Sequence, residues 1–474
     1  MALMDRKAII KFIVYVLIIG MMISCKEESK SEGTEGEENP YAWDIKDNYQ
    51  ELAANPAIFH KAVQNLTDII VHDIFSPPVA SRVYAYPSIA AFEVMQQSHE
   101  DYISLANQAH GLTDVPQAPE GEICYPLASM QAFMKVGGEL IFSGDKMEDF
   151  RNSIYADFQK AGIPYEVYDR SIEFGDQVGS HILEWSTHDL YKETRTYERY
   201  TVNPDIKGRW TPTPPDYMDG IEPHWNKIRT FIIDSATQFV PAPPTSYNPD
   251  KSSKFFKEVM EVYNIGRNLS DEQEEIAQFW DCNPFATTHV GHVMFATKKI
   301  SPGGHWIGIA GIAARKAKCD FMQTAETYAR VSISLADAFI SCWDEKYRSN
   351  LVRPETVINE LVDETWTPLL QTPPFPEYTS GHSVISASAS ITLTDLFGEP
   401  FPFADSTEVK YGLPVRSYKS FIEASEEAAV SRLYGGIHYR PACDIGVFQG
   451  RKVGNYVVAN LYTRKEDMQL SAKR

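Results

Sequence analysis

The sequence predicts an all-α protein of two helical bundles, with an anion site in the C-terminal one and a long Pro-rich wrapping loop. Three observations carry this reading. Apolar residues recur at helical spacing, as in Ile58, Val63, Leu66, Ile69 and Ile70. Strand-like alternation is scarce. The stretch 195–250 holds Trp210, the run Pro212-Thr213-Pro214-Pro215, then Pro223, Trp225 and Pro241 to Pro244. Such a run cannot be regular helix, and it is long for a loop, so it wraps a helical body or roofs a site.

Taken in order, the first helix covers Pro56 to Asp73. A Pro-Pro break at 77–78 precedes a second helical stretch through about Met95. Residues 108–122 read as loop. Helices follow at 124–142, 146–162 and 166–188, with Pro164 separating the last two. After the Pro-rich stretch, helices resume at 251–264, 271–280, 307–317 and 322–344. Gly303-Gly304-His305-Trp306 reads as a tight loop before the third of these. The last helices are expected at 355–362, 382–397, 417–433 and 441–462. The domain reading is therefore an N-terminal helical region 41–265 and a C-terminal helical domain 266–474.

Residues 1–24 read as a targeting segment. Arg6 and Lys7 precede an apolar run from Ala8 to Ile23, which is too short for a stable span. With Cys25 behind it, the segment resembles a bacterial lipoprotein signal, and the resemblance implies a lipid on Cys25 and an outer-membrane location, periplasmic or cell-surface. An ordinary cleaved signal or an N-terminal anchor is the alternative. Residues 25–40 form an acidic tether; 26–39 carry no apolar side chain.

The 474 residues carry a formal charge of −20, which argues against nucleic acid, whose phosphates would be repelled. A hydrophobic fraction of 43%, with 25 tyrosines and 24 phenylalanines, indicates a large core. Apart from Cys25, the cysteines are Cys124, Cys282, Cys319, Cys342 and Cys443. This odd, scattered set is not a disulfide framework; it allows one bridge and reads mainly as buried thiols.

Against that acidic background three basic clusters stand out in the last 130 residues. Lys346 is followed seven residues later by Arg353-Pro354. Thr379-Ser380-Gly381-His382 ends a Pro-rich loop and opens a helix. Ser431-Arg432 is followed six residues later by His438. A helix start offers free N–H groups and a positive dipole end to a tetrahedral oxyanion. Gly381 lets the backbone come close, arginines grip two oxygens at once, and His382 is placed to move a proton.

These clusters resemble the signature shared by vanadium-dependent haloperoxidases and the type 2 phosphatidic acid phosphatase superfamily: Lys-x6-Arg-Pro, Pro-Ser-Gly-His, then Ser-Arg-x5-His. Here Thr379 replaces the usual proline. The resemblance covers about residues 270–460 and implies the same helical architecture. It implies a bound vanadate held by Lys346, Arg353, Ser380, Gly381, His382, Arg432 and His438. His438 would be the axial vanadium ligand and His382 the acid–base residue. Lys346 would polarise the transferred oxygen, and hydrogen peroxide and halide would be the substrates, iodide before bromide. Trp343 and Phe375 resemble the aromatic residues that haloperoxidases place beside the anion. The alternative is a vanadate-inhibited acid phosphatase working through a phosphohistidine on His438. A remote alternative is a glycan-binding surface lipoprotein using Trp210 and Trp225.

Asp281 is the expected carboxylate partner of Arg432. The superfamily position for an acid after the last histidine is Ala442 here, with Asp444 nearest, so the orienter of His438 is unassigned. Glu423, Glu426 and Glu427 read as a solvated face. His289, His292 and His305 read as a loop bordering the site mouth, with metal binding the lesser alternative.

Overall fold

The computed structural model describes residues 43–471, apart from 204, 291 and 297. The targeting segment expected at 1–24, the lipid site expected at Cys25 and the tether expected to residue 40 lie outside the described residues.

Sixteen α-helices and two antiparallel hairpins make up the regular structure among the described residues, so the chain is all-α as the sequence predicts. In chain order the first helices are α1 (Tyr49–Ala54), α2 (Ala57–His72), α3 (Pro77–Met95), α4 (Tyr125–Leu140), α5 (Gly144–Lys160), α6 (Tyr165–Thr187) and α7 (Tyr191–Thr194). Next come α8 (Lys254–Arg267), α9 (Asp271–Phe279), the hairpin β1 (Thr287–Val290) and β2 (Val293–Ala296), α10 (Pro302–Ala317), α11 (Phe321–Ser349) and α12 (Pro354–Leu361). The chain closes with α13 (Gly381–Phe397), β3 (Phe403–Asp405), β4 (Arg416–Tyr418), α14 (Phe421–Tyr434), α15 (Arg440–Asn460) and α16 (Lys465–Ser471). No helix among the described residues is long and apolar enough to cross a membrane.

Side-chain caps start several of these helices. Ser270 with Gln273, and Asp320 with Gln323, form reciprocal capping boxes at α9 and α11. Ser253 and Ser420 cap α8 and α14. The expected helix at 307–317 begins five residues earlier. Ser301 Oγ accepts the Gly304 N–H at 3.1 Å and Pro302 fills the first turn, so Gly303-Gly304-His305-Trp306 is helix and not loop. A Cβ on Gly304 would lie 2.7 Å from Ile300 and 2.9 Å from the Tyr84 hydroxyl, so glycine is there for space. Residues 417 and 418, expected in a helix, lie in β4.

Two helices are buried almost all round and organise the packing. Every residue of α3 is buried, and α11 is buried continuously from Thr324 to Lys346. They pack on each other; α3 also holds α4 and α6, and α11 also holds α10, α13 and α15.

The contact between α13 and α15 is unusually close. Gly446, Gly450 and Gly454 repeat every fourth residue on α15. A Cβ on Gly450 would lie 2.1 Å from the Val384 carbonyl, and one on Gly454 2.8 Å from that of Ser388. Gly450→Ala is therefore expected to cost about 3 kcal/mol, the upper end for overpacking. A lowered urea midpoint at unchanged slope would report it.

The Pro-rich stretch is a strap, as expected. The Trp210 N–H donates to the Asn350 carbonyl and that of Ile221 to Pro374, both at 3.0 Å. The N–H groups of Phe231, Ile232 and Ile233 converge on the buried carboxylate of Asp337 at 2.7, 2.8 and 3.0 Å. Trp210 and Trp225 are core residues, 0% and 2% exposed, so neither can stack on a glycan.

Candidate active site and family

The loop 373–380 runs into α13 and meets the ends of α11, α12 and α14. Ser380 caps α13, its Oγ accepting the Ser383 N–H at 3.3 Å, and its own N–H donates to the Ala442 carbonyl. The N–H groups of the first turn have no acceptor within the helix. A Cβ on Gly381 would enter the space between Trp343 and Lys346, at 3.8 and 3.9 Å.

His438 follows α14 and is 3% exposed. Its Nδ1 lies 2.9 Å from Glu377 Oε1, and its Nε2 lies 3.1 Å from an Nη of Arg353. Burial, with Arg353 beside it, holds the imidazole well below its usual pKa, so it is neutral. Glu377 accepts the Nδ1 proton, which leaves the Nε2 lone pair toward the arginine. Glu377 also accepts the Tyr439 N–H at 2.9 Å. Burial pushes its carboxyl up to about 7, against the opposing pull of Arg353 and Lys346.

Arg353 caps α12. It donates from Nε to the Phe375 carbonyl and from Nη1 to that of Ile437, both at 2.9 Å. Burial pulls it down to about 10. Lys346 gives its ammonium to the carbonyls of Pro376, Glu377 and Thr379 at 3.1, 3.2 and 2.6 Å, so it fixes the loop. Burial lowers it to about 8. Arg432, also buried, donates from Nε to Ser431 Oγ and from Nη2 to the Ala277 carbonyl.

His382 is held well below its usual pKa by burial and by Arg432. Its ring bonds the Trp280 backbone, and Nε2 is buried without a partner. Trp343 and Phe375 stand as an aromatic pair, ring centroids 5.0 Å apart, with the Lys346 ammonium 5.0 Å from the Phe375 ring. A small cavity opens between Gly381, His382, Arg432, His438, Trp343 and Phe375.

The structure thus gathers Lys346, Arg353, Ser380, Gly381, His382, Arg432 and His438 at one site. Asp281 lines the same cavity and acts on Arg432 through charge, while its carboxylate bonds Lys299. The donor set fits a tetrahedral oxyanion such as vanadate. An Arg353 Nη2, His382 Nε2 and Ser383 Oγ are buried and unpartnered, and three buried cations converge.

Some functional groups escaped the sequence reading. Glu377, not Asp444, orients His438; an acid between Pro376 and Tyr378, inside the buried motif stretch, was its signal. Glu427 is not on a solvated face. It accepts from the Trp280 indole at 3.1 Å, from Tyr418 and from Arg416. His292 is exposed at the turn of the β1–β2 hairpin, and His289 lies on β1. His305 is not on a mouth loop. It is fully buried in α10, its Nε2 2.8 Å from Asp405 and its Nδ1 3.1 Å from Glu408. Cys124, Cys282, Cys319, Cys342 and Cys443 are free thiols, and all but Cys319 are buried.

The model of the VCPO second helical-bundle domain matches residues 359–465. No curated protein sequence gives a match. Among solved structures, a bacterial vanadium-dependent iodoperoxidase is 51% identical, covering 86% of this chain and 97% of its own, with a TM-score of 0.82. The holo and apo forms of a bacterial vanadium-dependent chloroperoxidase share the fold, at 17% and 16% identity, with TM-scores of 0.65 and 0.64. They cover 92% and 91% of this chain and all of their own. With the iodoperoxidase matched over most of both chains, this chain belongs to the vanadium-dependent haloperoxidases.

Proposed function

We propose that the protein is a vanadate-dependent haloperoxidase that oxidises halide with hydrogen peroxide to hypohalous acid, iodide before bromide. The observation that carries this reading is His438: neutral, fixed by Glu377, its Nε2 lone pair set among three buried cations. When bound, vanadate supplies a Lewis-acidic centre that activates peroxide for oxygen transfer without changing oxidation state.

The chain's own residues do the rest. His438 Nε2 would hold the group, and Arg353, Arg432 and the first-turn N–H groups of α13 would neutralise its oxygens. Neutral His382 takes a proton from hydrogen peroxide at Nε2, while its other ring nitrogen is engaged by the Trp280 backbone. Lys346 keeps the loop that carries Glu377 and Thr379 in place. Trp343 and Phe375 give the cavity an apolar wall that suits a weakly hydrated halide.

The test is triiodide formation by purified protein before and after vanadate loading, beside phosphomonoester hydrolysis. Vanadate-dependent iodide oxidation exceeding bromide oxidation is the expected result. Phosphate release inhibited by vanadate, with no halide oxidation, would move the chain to the phosphatase chemistry.

We further propose that lipid on Cys25 holds the enzyme at the bacterial outer membrane, on the periplasmic or cell-surface face. Arg6, Lys7, the apolar run to Ile23 and the acidic tether support this. Cys25→Ala is expected to abolish incorporation of labelled fatty acid; unchanged labelling would refute the anchor.

A further inference from the structure

Beside the cavity lies a second cluster that the halide chemistry does not use. It joins three segments: Cys282 in the loop after α9, His305 in the first turn of α10, and Glu408 shortly after β3. All three are buried. Cys282 Sγ lies 3.3 Å from His305 Nδ1 and 3.9 Å from Glu408 Oε1, and Nδ1 lies 3.1 Å from that Oε1.

These spacings are those between ligands around one small cation. The point equidistant from the three atoms lies about 2.0 Å from each, against zinc bonds of about 2.3 Å to sulfur and about 2.0–2.2 Å to nitrogen and oxygen. An ion slightly out of their plane meets all three and keeps one tetrahedral position. The far nitrogen of the ring adds an independent observation. His305 Nε2 donates to Asp405 Oδ2 at 2.8 Å, and Asp405 is fixed in turn by the N–H and hydroxyl of Thr407 at 2.9 and 2.7 Å. A carboxylate behind a histidine, itself hydrogen-bonded, is how metal sites orient an imidazole and raise its basicity. The Trp280 indole stacks on the ring at 4.5 Å and closes the other side.

We propose that Cys282, His305 and Glu408 form a zinc site, with Asp405 orienting His305. Thiolate, imidazole and carboxylate together select zinc over magnesium or calcium. Binding displaces the thiol proton and the Nδ1 proton and requires no redox partner. The ion would pin the loop that brings Trp280 to His382 and Asp281 to Arg432. It would also occupy the lone pairs of a thiol that lines the cavity.

The experiment is metal analysis of the untagged full chain, loaded with zinc and freed of loose metal over a chelating resin, with no vanadate and no activity assay. One zinc per chain is expected, and none in Cys282→Ala or His305→Ala. Asp405→Asn should weaken binding about 10–100-fold. A double change of His289 and His292 to alanine should leave the stoichiometry unchanged. Zinc absent from the unaltered protein, or retained in full by Cys282→Ala, would overturn the site. Should the variants fail to fold, cobalt replaces zinc in the unaltered protein. A thiolate-to-cobalt charge-transfer band is then expected, and its absence would equally refute the proposal.

Discussion

His438→Ala is expected to lower vanadate affinity by about 10³-fold or more, ~4 kcal/mol, and to take iodide oxidation to background. The change removes a neutral imidazole whose Nε2 lone pair is oriented by Glu377 and set beside Arg353. It should not unfold the chain. Arg353 keeps its bonds to the Phe375 and Ile437 carbonyls, and Glu377 keeps the Tyr439 N–H. With the ring gone, their opposite charges face one another across the vacated space. Vanadate titration by calorimetry, beside a thermal melt, separates the two effects. An unaltered vanadate affinity would remove His438 from the site.

The second large effect falls on Glu377, a positioning residue that acts through His438. Glu377→Ala should weaken vanadate binding by about 10–100-fold, because the imidazole loses its tautomer and orientation. Glu377→Gln keeps an acceptor oxygen and should recover much of that loss, which a merely structural role would not predict. The pH profile carries a further signature. Glu377 is pushed up to about 7, so its carboxylate forms only as pH rises through that value. Once ionised it accepts the Nδ1 proton more strongly and makes Nε2 a better ligand. The ratio of wild-type to Glu377→Gln affinity should therefore climb between about pH 6 and 8. The stability sign is opposite. A carboxyl raised from 4.5 to about 7 on folding binds its proton more tightly in the native state, so it subtracts stability as pH rises from about 4.5 to about 7 and nothing further above that. Glu377→Gln is freed of that loss.

The anion site was legible because its donors sit in three short motifs whose spacing the chemistry dictates. Six residues separate Lys346 from Arg353, which places one at the end of α11 and the other at the N-cap position of α12. Features built from distant partners were not legible. Glu377 and His438 are 61 positions apart, and Cys282 and Glu408 are 126 apart. No local rule pairs them. Gly303-Gly304 misled because two glycines read as a turn, yet Ser301 and Pro302 before them are a helix start. Glu427 misled because its two acidic neighbours made a solvated run, and only tertiary packing turns it onto Trp280, Arg416 and Tyr418. The short hairpins were missed because three or four residues per strand leave too little alternation to see.

The strap has one more consequence, for how the protein withstands proteases. Its first part is exposed around residues 205–207, the kind of surface loop that proteases cut first. On both sides of such a cut the chain is anchored: upstream by α3 packed on α11, downstream by the three N–H bonds to Asp337. A nicked molecule therefore stays whole until denatured, running as one species in gel filtration and as two fragments on a denaturing gel.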